Sequence, residues 1–169
     1  MISEVINLIG EKMIRMYKEH RIYKPNKNKD GAASKLQLKL IKDENETAKN
    51  KRKIMLFWVI CQQTGIDQNN NATFGWQDEE KYVTIKLGEI DVGKILTTLN
   101  LLTKETKIFH QNPKGNTTLT MSRTDKGYNL RISKQINKKV TAISHSIAPE
   151  EAEILKILLK QVIINIYQW

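Results

Sequence analysis

Cations, aromatic rings and small hydroxyls recur together along this sequence: Lys35 and Lys39 in KLQLKLIK, Tyr82 and Lys86 in KYVTIKL, Lys114 with Thr118, Arg131 with Lys134, and Lys138 with Lys139. Lysines and arginines neutralise phosphates and release counterions, while rings stack on exposed base faces at about 1 to 3 kcal/mol per base. Together they suit an unpaired polynucleotide. Such a grip reads no base edges, so it tolerates any sequence. Trp58, Trp76 and Phe109 offer further rings, although Phe57 and Trp58 are adjacent and strand alternation turns one of them into the core. The plainer reading competes with this one: exposed strand residues are ordinary soluble surface, and the rings are core.

Other chemistries find less support. Asp78, Glu79 and Glu80 are three adjacent carboxylates that a metal-dependent nuclease could use, with His110 or His145 as base, but adjacent acids in a turn are usually solvated. His20, His110, His145 and Cys61 are isolated from one another, with no HxxxH, CxxC or EF-hand pattern, so no metal and no other cofactor is expected. The sequence also lacks GxSxG, GxxxxGK[ST] and GxGxxG, the signatures of an acyl-transfer nucleophile, an NTP loop and a dinucleotide fold. A non-enzymatic binder is the expectation.

Composition agrees. The 169 residues, 40% of them hydrophobic, suffice for one domain with a sizeable core, and 28 Lys and Arg against 18 Asp and Glu give a formal charge of +10 and a pI near 9.6. Biased usage of Lys, Asn and Ile could raise the charge without function, so charge alone does not decide. Cys61 stands in the apolar run KIMLFWVIC and forms no intramolecular disulfide. The leading residues carry Glu4, Glu11 and Glu19, unlike an acid-poor transit peptide, and their apolar stretch is too interrupted for a membrane span. The cytoplasm or nucleoid is therefore the expected location.

The elements that must position these residues follow from periodicity. Residues 1–20 read as an amphipathic helix with Val5, Ile6, Ile9, Met13 and Met16 on one face. Residues 21–34, rich in Lys, Asn, Pro and Gly, read as a linker, and the main domain as 35–169. Strands are expected over 35–42, 53–61 and 81–87, with Val83, Ile85 and Leu87 inward and Tyr82, Thr84 and Lys86 outward. A helix follows over 88–102, with Val92, Ile95, Leu96, Leu99 and Leu102 as its stripe and Gly93 available for a close backbone approach. KIFH, TTLTMSR, GYNLRISK and KVTAISHS read as four strands, the first two joined by the NPKG turn, where Lys114 meets phosphate and His110 orients the turn. A long final helix over 148–167 carries Ile154, Leu155, Leu158, Leu159, Val162, Ile163 and Ile166; Ile157 and Ile164 lie off that stripe and predict contact with another subunit.

Several segments in this order resemble the Whirly family of single-stranded DNA-binding proteins, over about Lys35 to Trp169. FGW (Phe74 to Trp76) stands where that family has an aromatic-Asp-Trp step, EIDVG (Glu89 to Gly93) is similar to its Glu-Val-Gly helix start, and IFHQNP (Ile108 to Pro113) to its Phe-Phe-His-Asp-Pro segment. Gly127-Tyr128 and Trp169 keep the order, while SKLQLK (Ser34 to Lys39) replaces the KGKAAL of plant members and Gln168 replaces a glycine. The resemblance implies an α+β fold, two antiparallel four-stranded sheets and two helices in the order ββββαββββα, with helices at the centre of a homotetramer. It implies single-stranded DNA lying over the sheets, in replication, recombination or repair. Kinetoplastid relatives of this fold bind RNA, so an RNA-binding or transcription-regulating oligomeric scaffold is the alternative.

Overall fold

A computed structural model describes residues 19–42 and 52–166. The strands are β1 (Glu19–Lys24), β2 (Ala32–Lys42), β3 (Arg52–Ile66), β4 (Ala72–Phe74), β5 (Tyr82–Leu87), β6 (Glu105–Asn112), β7 (Gly115–Thr124), β8 (Gly127–Ile136) and β9 (Lys139–Ile147). Helix α1 (Glu89–Leu99) separates β5 from β6, and helix α2 (Pro149–Ile166) follows β9. The first sheet runs β1-β2-β3, with β4 and β5 both paired to the long β3; the second is the meander β6-β7-β8-β9. Every pairing is antiparallel. The fold is α+β, as expected, but the first sheet has five strands rather than four.

The extra strand is the segment read as a linker. Residues 21–34 are instead most of a β-hairpin, in which Arg21 pairs with Lys35 and Tyr23 with Ala33. One apolar residue, Ile22, is enough to seat β1 on the core, because Arg21 and Tyr23 on either side of it face outward. The turn depends on Gly31, where a Cβ would sit 2.4 Å from the Lys24 carbonyl oxygen. Asn26 N–H donates to Gln63 Oε1 at 2.9 Å, fastening the turn to β3. The amphipathic helix expected over residues 1–20 lies outside the described residues except for Glu19 and His20, which are strand.

Between the sheets, Leu56, Trp58, Ile60, Val83 and Ile85 form one core with Leu119, Met121, Leu130 and Ile132. The helices add Val92, Ile95 and Leu99 from α1 and Leu155, Leu159 and Val162 from α2. Leu102, expected on the α1 stripe, is exposed because the helix ends at Leu99 and Leu101 takes a left-handed φ of 64°. Among the described residues Gly93 meets nothing within 4 Å of where a Cβ would lie. On α2, Ile154 turns outward with Ile157 and Ile164, leaving three isoleucines 46%, 61% and 54% exposed. Neither helix is long and apolar enough to cross a membrane.

A buried polar link joins the sheets. His145 of β9 donates from Nδ1 to the Ser146 carbonyl at 2.7 Å, so its Nε2 accepts from the Ser34 hydroxyl of β2, also at 2.7 Å. Nearby, His20 Nε2 is buried with no hydrogen-bond partner among the described residues, and Glu151 bonds both Lys24 Nζ and the Ala148 N–H. Burial lowers both histidines below their ordinary value of 6.5, against smaller opposing pulls: the Ser146 carbonyl and then Glu151 at His145, and Glu151 at His20. A base with a depressed folded pKa contributes stability fully above pH 6.5, which is lost as pH falls. Stability should therefore drop as pH falls below about 6.5, by up to about 1.4 kcal/mol per pH unit from His145, with less from the more solvent-screened His20. The lowered carboxylates Glu19, Asp67 and Glu80 act only below their ordinary 3.8 to 4.5 and leave that window clear. Urea midpoints at pH 7.5 and 5.5 check this; equal midpoints would exclude the two histidines as buried neutral groups.

Candidate nucleic-acid interface

Register assigns the face of the first sheet turned away from the core. Tyr23, Ala33, Cys61 and Tyr82 form one cross-strand row, Arg21, Lys35, Val59 and Thr84 the next, and Glu19, Gln37, Phe57 and Lys86 a third, with Lys39 opposite Met55 beyond. Four of the sequence-derived residues, Lys35, Lys39, Tyr82 and Lys86, thus share one surface. Trp76 joins them from the loop after β4: Lys35 Nζ lies 4.8 Å and the Arg21 guanidinium 5.8 Å from its ring centroid. Lys39 Nζ stands 5.3 Å from the Phe57 ring, and Tyr23 packs on Phe74 with centroids 5.4 Å apart. The surface is a mosaic of rings and cations carried on paired strands.

That loop also seals Cys61. The cysteine is fully buried, and burial pushes its thiol up to about 12 despite hydrogen bonds from the Ala33 and Gly75 backbone, so it is an inert core residue.

The second sheet presents a different face. Phe109, Thr118, Ser133 and Ala142 form one outer row, and Lys107, Thr120, Arg131 and Ser144 the next. Phe109 is 55% exposed, so this face offers one open ring, two cations and many hydroxyls. Lys114 is exposed in the turn before β7, where its N–H donates to Asn112 Oδ1, and Lys138 occupies the β8–β9 turn.

Several expectations need correction. Trp58 is wholly buried between the sheets and cannot stack on a base; of the adjacent pair, Phe57 is the one facing out. Lys134 lies on the opposite side of β8 from Arg131, with Nζ bonded to the Glu79 carbonyl at 2.5 Å and 5.7 Å from the Tyr82 ring. Lys139 is ion-paired with Glu80 at 2.9 Å. Asp78 pairs with Lys81 at 3.4 Å and accepts the Glu80 N–H, so the acidic run braces the hairpin of β8 and β9 against the 76–81 loop. Among the described residues no group of three or more His, Cys, Asp or Glu could hold a metal. His110 does not orient the NPKG turn. Its Nε2–H donates to Asp91 at 3.0 Å, and that same carboxylate oxygen accepts the Gly88 N–H, so the histidine pins the start of α1 to β6.

Arg21, Tyr23 and Phe74 belong to the candidate interface but were missed from sequence. Their signal was local alternation, a cation and a ring flanking Ile22, hidden among residues of linker-like composition.

Solved structures share this arrangement. WHY3 from Arabidopsis thaliana is 15% identical, aligns over 90% of each chain and gives a TM-score of 0.66. The plant transcriptional regulator PBF-2 is 16% identical over 89% of this chain and 90% of its own, with a TM-score of 0.67. The fold is Whirly-like. MRP1/MRP2 of Trypanosoma brucei share it too, at 12% identity over 94% of this chain and 92% of theirs, with a TM-score of 0.60. No protein-family model matches the sequence, and no curated protein is similar to it in sequence. In this Whirly-like chain, FGW closes β4, EIDVG opens α1 and IFHQNP ends β6.

Proposed function

We propose that this protein binds single-stranded nucleic acid, DNA in the first place, along the outer face of its first sheet and without regard to base sequence. The observation that carries the reading is the placement of Arg21 and Lys35 against the Trp76 ring over the outer face of the first sheet, with Lys39 and Lys86 farther along that face. Bases stack on the rings and phosphates meet the cations, in a chain whose net charge of +10 favours polyanions throughout. The Whirly-like fold and the plant and kinetoplastid proteins that share it support the reading.

The outer face of the second sheet, with Phe109, Lys107 and Arg131, extends the track. Ile154, Ile157 and Ile164 on α2 suit contact between copies, so the working unit is a homo-oligomer, a tetramer by resemblance. The role is protection or presentation of unpaired strands in replication, recombination or repair, without catalysis. Fluorescence anisotropy of labelled oligo-dT, its duplex and oligo-U over a salt series tests this. Expected are tighter binding to the unpaired strands than to the duplex and affinity that falls steeply with salt; equal affinity for duplex, or no salt dependence, would refute it.

A further inference from the structure

We propose that Glu19 is an electrostatic brake on this interface: its carboxylate occupies the two cations beside Trp76, and a phosphate must displace it to bind there. The inference rests on the binding function proposed above and assigns a role to the one acid that the described strands place on that face.

Glu19 lies on the outer side of edge strand β1, opposite Gln37, with Arg21 and Lys35 forming the next cross-strand pair. Its Oε1 takes the Arg21 Nε–H, and its Oε2 lies 3.4 Å from Lys35 Nζ. Both cations are the ones held against the Trp76 ring. The Glu19 and Lys35 side chains are 21% and 18% exposed, so water screens this contact only in part. Burial alone would raise the Glu19 carboxyl, but the Arg21 hydrogen bond and the Lys35 charge outweigh it and hold the pKa below its ordinary value. The group is therefore an anion at neutral pH.

Two cations less one anion leave this half of the face with a net charge of +1. Lys39 and Lys86 have no carboxylate partner among the described residues and carry +2 between them. A strand crossing the sheet meets two unlike halves: phosphates favour Lys39 and Lys86, whereas at Trp76 a base stacks and its phosphate competes with Glu19. The arrangement lowers affinity and eases release, which suits a protein that must yield its strand to other machinery.

Glu19→Gln keeps the size and removes the charge. Oligo-dT affinity at low salt should rise about three- to tenfold, and the slope of log affinity against log salt should steepen by about one, as a cation pair is freed for phosphate. Glu153→Gln, the same change in net charge on α2, should alter neither, and the gain should shrink in a Lys35→Met background. Glu19→Ala should act in the same direction, which guards against a misfolded glutamine variant. A Glu19→Gln protein that binds no tighter than wild type, or a Glu153→Gln protein that gains as much, overturns the brake alone. Failure of wild type and variants alike to bind overturns the binding function and the brake with it.

Discussion

Trp76→Ala combined with Lys35→Met should weaken binding of an unpaired oligonucleotide by about 30- to 150-fold at low salt. A stacked base contributes about 1 to 3 kcal/mol and a phosphate contact adds to it, but the two side chains touch, so their losses overlap and about 2 to 3 kcal/mol is the expected total. The substitutions act where Lys35 and Trp76 are 4.8 Å apart, on a surface rather than in the core. Anisotropy gives the affinity, and thermal melting confirms that the protein remains folded. An affinity within twofold of wild type would remove this patch from the interface.

Trp58→Ala should cost about 3 to 5 kcal/mol of folding stability, the range for truncating a large buried ring. The side chain is wholly enclosed in the core that joins the two sheets. Because a domain of this size holds about 5 to 15 kcal/mol in all, the variant should be close to unfolding at room temperature, with a sharply lower urea midpoint. A loss below about 1 kcal/mol would mean that the sheets do not depend on this ring. The contrast with Trp76 is informative: two tryptophans, one enclosed in the core and one set against two cations on the outer face, are told apart only by the direction each one faces.

That contrast shows how much the sequence reveals. Alternation in KYVTIKL correctly placed Val83, Ile85 and Leu87 inward and Tyr82, Thr84 and Lys86 outward, since a half-buried strand leaves a period of two. The second sheet was legible for the same reason, and both helices through apolar residues recurring at steps of about 3 and 4. β1 was not, because a short edge strand with one buried residue has almost no periodic signal, and its register comes from the turn at Gly31 and from pairing with β2. β4, three residues long, was equally hidden. The interface suffered most from this loss: Arg21, Tyr23 and Glu19 lie on β1, and their approach to Trp76 and Phe74 is set by long-range pairing. For Lys134 and Lys139, sequence shows a charge but not its partner, and Glu79 and Glu80 lie more than fifty residues away.

The central claim is that rings and cations on the outer face of the first sheet hold the unpaired strand. Photocrosslinking of an oligonucleotide carrying 5-bromodeoxyuridine, with the attached peptides mapped by mass spectrometry, tests it most directly. Adducts on Trp76, Tyr23, Phe74 or Tyr82, lost on competition with unlabelled oligo-dT, are the predicted result. Adducts confined to α1 or α2, with these four rings unmodified, would contradict it.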